Sequence, residues 1–480
     1  MDAAMDGSPL DRLDSFPYRH RLGEVMTSPV VRVPGTLTLG TAAERMDALG
    51  ISSLLVDAAT TGIVTERDVL RAVARHGRDA LALPLTAVMS APVHGLPASS
   101  YVYLALGRMD RLGIRHLAVT GDDGGVVGIV TARQMLRQRA GKALALGDEL
   151  AVALDAAQMG AVRDALPTLA RSLLAERVPA PDVAGVLSQV LRDLTARAAE
   201  LAAAELGPAP APWCVLVLGS AGRGETLLAC DQDNALVHAG TPKDDPWFAA
   251  LGQRLNTLLD AAGVPLCPGN VMAGNALWRH DRNGWTRQVD RWVGAARPQD
   301  VLEVGAFFDF HPVFGEPALA AELRAHTLER AAGSVGFAKN QAAQLDGTGP
   351  PLDLLGRFRT VEGRVDLKAG GAWPVVVAAR VLALRRGVAA TGTAARLSAL
   401  AAAGHLNETD ATGLAELHAD CLTLMLEQQI ADVAAGVPPS SMVDVRRLDR
   451  LRSQRLRDGL RRIRLIPDML REALSTAAAV

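Results

Sequence analysis

Leu218-Gly219-Ser220-Ala221-Gly222-Arg223-Gly224-Glu225, followed closely by Cys230-Asp231-Gln232-Asp233-Asn234, is the stretch on which the reading of this chain turns. The apolar run from Trp213 to Leu218 predicts a buried strand, and Gly219-Ser220 ends it. A strand that stops in Gly-Ser before a helix can aim backbone N–H groups at phosphate oxygens, with no Cβ in the way and a helix N-terminus behind. The Ser220 hydroxyl adds a donor. Asp231 and Asp233 are two residues apart at the head of a second apolar run, Ala235-Leu236-Val237, so on extended backbone both carboxylates project to one side. Two adjacent carboxylates repel unless a cation neutralises them, and Mg²⁺ is commonly held by one or two carboxylates plus substrate phosphates. Either element alone reads equally as a loop or a helix cap. In this order, between two apolar strands, they read as one metal-dependent nucleotidyltransfer site.

The stretch Gly219–Asn234 resembles the nucleotidyltransferase core of bacterial proteins that join paired cystathionine-β-synthase (CBS) domains to such a core. Those proteins are relatives of the protein-PII uridylyltransferases and glutamine-synthetase adenylyltransferases. The resemblance implies a DNA-polymerase-β-like fold and transfer of a nucleoside monophosphate from an NTP to a protein acceptor. It extends over about residues 21–475, including Pro265–Ala273, Trp278-Arg279 and Phe307-Phe308-Asp309-Phe310-His311. A third carboxylate would bind a metal on the acceptor side or take the acceptor's proton, and Asp309 is the candidate. Its other reading is a polar residue beside a core aromatic cluster. Val365-Asp366-Leu367-Lys368-Ala369-Gly370-Gly371 is similar to an Asp-Leu-Lys-Gly-Gly element of the same relatives, which makes Lys368 a phosphate-side candidate; a surface turn is the competing account. Arg223 and Glu225 are expected to order the loop, Arg223 also being able to approach phosphate. Ala221 and Gly224 stand where the relatives commonly carry charged residues.

An internal repeat organises the first 140 residues. Val25-Met26-Thr27-Ser28-Pro29 recurs as Val88-Met89-Ser90-Ala91-Pro92, and Gly62-Ile63-Val64-Thr65-Glu66-Arg67-Asp68 as Gly128-Ile129-Val130-Thr131-Ala132-Arg133-Gln134. Each copy alternates helix and strand, which predicts two small α/β modules packed together rather than a solenoid. They resemble tandem CBS domains, which implies adenine-nucleotide binding and, as a family expectation, a homodimer. Thr65, Asp68 and Thr131 are the ligand candidates, at strand-to-helix junctions where a hydroxyl can meet phosphate and a carboxylate a ribose hydroxyl. Thr65 and Asp68 read equally as a helix cap, and Gln134 replaces the acidic residue of the second copy.

A chain of 480 residues predicts several domains, and 49% hydrophobic residues give ample core. The fold class expected is multidomain α/β plus all-α. Residues 1–20 form a tail, 21–140 the CBS pair (21–79 and 84–140), 141–206 a helical connector, 207–330 the nucleotidyltransferase core and 331–480 a C-terminal helical domain. A formal net charge of −2 argues against a chain-wide nucleic-acid or membrane field. Cys214, Cys230, Cys267 and Cys421 lack metal-ligand spacing and predict reduced thiols in a cytoplasmic protein. No signal peptide or membrane span is expected. The nine arginines of Arg446–Arg464 read as a solvated helix face, with Leu448, Leu451, Leu460 and Ile463 turned inward. The reading of another class is a non-catalytic nucleotide sensor in which an inert core regulates a partner by binding.

Overall fold

The computed structural model describes residues 20–121, 123–132, 149–295 and 301–475. The chain divides into two compact units that meet in sequence between Ala145 and Leu146.

In the first unit each repeat builds one three-stranded sheet. Strands β1 (Arg32–Pro34), β2 (Ser53–Asp57) and β3 (Gly62–Thr65) are ordered β1-β2-β3, and β4 (Gly95–Pro97), β5 (His116–Thr120) and β6 (Val126–Thr131) repeat that order, with the same parallel and antiparallel pairings. The repeated methionine segments cross over. Leu22 and Val25 pack in the core of the second sheet with Val102, Leu117 and Val130, whereas Leu85 packs with Val33, Leu54 and Val64 of the first. Thr27 pairs with Ile129 and Ser90 with Ile63. The repeat in sequence is therefore offset from the repeat in space, because each copy's opening segment completes the other copy's core. Leu55, Ile63 and Ile129 form the apolar contact between the two sheets.

The second unit is organised by a four-stranded mixed sheet of order β10-β7-β8-β9, made of β7 (Trp213–Val217), β8 (Asn234–His238), β9 (Arg279–Asp281) and β10 (His311–Gly315). β7 and β8 are buried at every position, as expected of continuous apolar strands covered on both faces. Leu216, Leu218 and Val237 join an aromatic core of Trp278, Trp285, Trp292, Phe307 and Phe310. The third strand lies at Arg279–Asp281, and the segment Pro265–Ala273 before it makes a single bridge, Leu266 to Gln232.

The 27-residue helix Ala180–Leu206 carries Pro181 and Asp182 in its first turn and buries Val183, Leu187, Val190, Leu191 and Leu194. It packs on the helix Asp245–Ala261, on β7 and β10 and on the C-terminal helix Glu408–Ala434, so the predicted connector segment covers the apolar face of the sheet domain. The remaining C-terminal elements are helices, among them Trp373–Arg385 and Thr393–Ala402, and one two-stranded ribbon of Arg364–Asp366 with Met442–Asp444. The arginine-rich stretch forms the helix Arg450–Arg462; Leu456, Leu460 and Ile463 face inward, but Leu451 is 77% exposed, and Arg452 and Arg455 pair with Glu427 and Asp420. No helix among the described residues is long and apolar enough to cross a membrane.

Candidate active site

The three strand ends Val217, Asn234 and His311 lie side by side in register, and the glycine bend and the aspartate pair leave the sheet at this rim. Leu218 N–H donates to the Asp233 carbonyl at 2.9 Å, which carries the pairing one step past the strands. Gly219 follows at φ +56°, opening the short helix Gly219–Arg223. A Cβ on Gly219 would stand 2.7 Å from Asp233 Oδ2, so only glycine lets the bend come this close to the carboxylate. The bend and the acidic pair thus occupy one place.

Side-chain alternation around the pair is fixed by amides. Gln232 and Asn234 point inward and are 3% and 1% exposed, while Asp231 and Asp233 are half-buried on the opposite side. Asn256 Nδ2 donates to Gln232 Oε1 at 2.8 Å and to Asn234 Oδ1 at 3.0 Å, and Gln232 Nε2 donates to the carbonyls of Asn256 and Val264. Ala273 N–H completes the set by donating to Asn234 Oδ1 at 2.8 Å. These bonds satisfy polar groups that burial would otherwise penalise, and they leave the carboxylates no other direction to face.

Asp231, Asp233 and Cys267 each offer a ligand atom, all within 4.8 Å of one another. Burial, followed by the charge of Asp231, pushes the Asp233 carboxyl up to about 6, against the opposing pull of the Cys267 thiol, Lys368 and Arg223. Burial and the neighbouring Asp233 push the Cys267 thiol up to about 11. Crowded carboxylates of this kind are the donor set a hard divalent cation would neutralise, so the residues fit one. Cys267 was invisible as a participant because it arrives from a turn distant in sequence and belongs to no ligand-spaced motif.

Asp309 is not part of this cluster. It is fully buried and accepts hydrogen bonds from Arg223 Nη1 at 2.7 Å, Arg380 Nη2 at 2.6 Å and Arg396 Nη1 at 2.7 Å. Burial opposes its ionisation, yet the guanidinium groups of Arg380, Arg396 and Arg223 outweigh that and hold it well below the usual carboxylate range. The expectation of a third metal or base carboxylate is corrected: Asp309 is the anion that neutralises an arginine cluster under the bend.

Arg223 Nε also donates to Glu225 Oε2 at 2.7 Å and the side chain is only 8% exposed, so Arg223 orders the loop. Glu225 Oε1 accepts from Thr393 N–H at 2.6 Å. Arg192 caps the carbonyls of Ala221 and Gly222 at 2.9 and 3.0 Å, and Gln429 Oε1 accepts from the N–H groups of Leu228 and Ala229. The loop is thus pinned from the long helix before it and the helical domain after it. The Ser220 hydroxyl lies 3.1 Å from Thr226 Oγ1, and Ser220 shares a cavity with Lys368, which is exposed on the wide helical turn Lys368–Ala372.

In the first unit Thr65 N–H and Oγ1 both donate to Asp68 Oδ2, at 2.9 and 2.7 Å, and the pair forms a capping box on the helix Glu66–His76. Thr131 ends β6, and Gln134 lies outside the described residues.

Residues 164–299 match the family described as "Putative nucleotidyltransferase DUF294", residues 336–474 match "Putative nucleotidyltransferase substrate binding domain", and residues 22–75 and 85–141 match "CBS domain". An uncharacterized 17.7 kDa protein of Acidianus ambivalens is 30% identical over 120 residues, covering 24% of this chain and 71% of that one. An uncharacterized protein of Methanopyrus kandleri is 31% identical over 119 residues, covering 24% of this chain and 61% of its own length. Among solved structures, a CBS-domain containing protein from Agrobacterium tumefaciens is 26% identical, covering 25% of this chain and 98% of that one with a TM-score of 0.23. A CBS domain protein from Pyrobaculum aerophilum, complexed with AMP, is 26% identical, covering 26% and 95% with a TM-score of 0.23. By its family-model matches, the chain belongs to the proteins that join a CBS pair to a DUF294 nucleotidyltransferase domain and its substrate-binding domain.

Proposed function

We propose that this protein transfers a nucleoside monophosphate from an NTP to a hydroxyl of a protein acceptor, in the manner of the protein-PII uridylyltransferases and glutamine-synthetase adenylyltransferases. The reading rests on one observation, the Asp233 carboxylate set against the bare α-carbon of Gly219, with Asp231 beside it. Asp231 and Asp233 would hold Mg²⁺, which supplies charge neutralisation at the polyphosphate and polarises the reacting phosphorus. Gly219 and Ser220 receive the triphosphate on the bend, and Lys368 adds a cation on the phosphate side. In the transfer the acceptor oxygen bonds to the α-phosphorus, the bond to the bridging oxygen breaks, pyrophosphate leaves and the hydroxyl proton passes to solvent. The CBS pair binds an adenine nucleotide and regulates the transfer, in a cytoplasmic homodimer.

One observation favours the non-catalytic alternative: Asp309 is consumed by arginines, so the cluster holds two carboxylates and a thiol. Incubation with labelled NTPs, Mg²⁺ and cell extract separates the two. Transfer of label to protein by the wild type, abolished in Asp231→Ala and in Asp233→Ala, is the expected result. Nucleotide binding with no transfer under any condition would establish the sensor, and label in the low-mass fraction would make the acceptor a small molecule.

A further inference from the structure

Beside the bend, the second unit holds a half-open cavity of about 140 Å³. The sheet domain contributes Ser220, Arg223, Glu225, Leu227 and Ala229 to it. The helical domain contributes the facing wall, chiefly Lys368, Trp373, Val376, Leu422 and Met425. Ser220 belongs both to the bend and to this cavity, and Lys368, at its edge, exerts its charge on Asp233. A molecule with its polyphosphate on the bend therefore has its other end beside these walls.

The chemistry of the walls is selective. Trp373 presents an indole that already carries the Arg380 guanidinium 5.5 Å from its ring centre. Leu227, Val376, Leu422 and Met425 are apolar and buried. The polar groups that line it are largely committed elsewhere: Glu225 to Arg223 and Thr393, and Gln429 to Leu228, Ala229 and the Ser440 carbonyl. His418 is 5% exposed, and burial pushes its imidazole below the ordinary value. Such a site rewards a flat ring with a large π-face. A purine's two fused rings give the indole a larger face to stack on than the single ring of uracil.

We infer that this cavity seats a purine base of the NTP, stacked against Trp373. The inference rests on the proposed transferase reading and narrows its donor to a purine nucleoside triphosphate. Photolabelling the full-length protein with 8-azidoadenosine triphosphate and Mg²⁺, followed by peptide mapping, tests it. Label is expected on the peptides bearing Trp373 or Met425, and unlabelled tripolyphosphate should remove it by occupying the bend. Trp373→Leu should weaken ATP binding at this site by about tenfold, the scale of one lost base–aromatic stack, and Trp373→Phe should restore it. Label confined to residues 20–132, ATP binding unchanged in Trp373→Leu, or UTP competing as well as ATP would each overturn the base assignment. If tripolyphosphate still binds and transfer still occurs in that case, the transferase reading stands without it. Failure of tripolyphosphate to bind at all with Mg²⁺ present would remove both.

Discussion

Arg223 Nη1 donates to Asp309 Oδ2 at 2.7 Å, and through that bond the loop after the glycine bend is tied to a carboxylate that Arg380 and Arg396 also hold. Arg380 and Arg396 are each 1% exposed, so removing the anion leaves guanidinium groups uncompensated in a dry interior. Breaking a buried pair costs about 3–5 kcal/mol. Asp309→Asn is therefore expected to lower the unfolding free energy by that order in urea titrations. Because the carboxyl is held low, its contribution is present at neutral pH and is lost only as pH falls through that depressed value. A variant as stable as the wild type that has lost only transfer would return Asp309 to the reacting groups.

Two glycines of the bend should fail in different ways. A Cβ on Gly222 would stand 2.1 Å from the Asp309 carbonyl oxygen and 2.9 Å from that of Val217, both backbone atoms that cannot step aside. Gly222→Ala should destabilise the fold by more than about 3 kcal/mol, among the larger single-residue effects. Gly219→Ala meets a carboxylate that can rotate, so its main cost is to move Asp233 and strain a φ of +56°. It should abolish transfer while lowering stability by only about 1–2 kcal/mol, the scale of a non-glycine residue at positive φ. Parallel melting and label-transfer assays would show whether the two effects separate.

What the sequence made legible was whatever lay within one short stretch. Strand, bend and acidic pair could be read because Trp213–Leu218 and Ala235–Val237 are continuous apolar runs and the punctuation between them is chemically specific. The repeat in the first unit was visible too, but not the exchange of Leu22 and Leu85 between cores, since both copies have the same apolar pattern and either core would accept either segment. Asp309 was misread for a related reason. Its partners Arg380 and Arg396 lie in helices more than seventy residues away, and nothing local distinguishes an aspartate that meets arginines from one that meets a metal. Cys267 and Asn256 escaped notice likewise: each acts on the pair from a separate element.

Asp233 supplies a prediction in pH. Its folded value of about 6 exceeds the ordinary 3.8, so between those values the folded protein binds more protons than the unfolded chain. Stability of the metal-free protein should thus fall as pH rises from about 4 to 6, by on the order of 1–2 kcal/mol after allowance for partial solvent screening. Asp233→Asn should flatten that slope and stabilise the metal-free protein at neutral pH. Mg²⁺ should stabilise the wild type there and leave the variant unmoved. A slope unchanged in the variant would mean that the crowding of Asp231 and Asp233 costs nothing.

Asn256 tests whether the amides behind the pair, and not only the pair itself, make the site. Its Nδ2 supplies Gln232 and Asn234, and its Oδ1 accepts from Gly274 N–H at 2.9 Å. Asn256→Leu keeps the volume but leaves the buried Gln232 Oε1 and the part-buried Gly274 N–H without these partners, a loss of about 1–3 kcal/mol for the buried group left unsatisfied. Gln232 would then rotate toward solvent, and alternation along the chain would carry Asp231 and Asp233 away from Gly219. The expected signature is a moderate fall in stability with a disproportionate loss of Mn²⁺ binding, read by electron paramagnetic resonance with Mn²⁺ as the probe. Metal affinity that survives while stability drops would mean that the backbone pairing of Leu218 with Asp233 is enough to aim the carboxylates, and that the amides serve the fold alone.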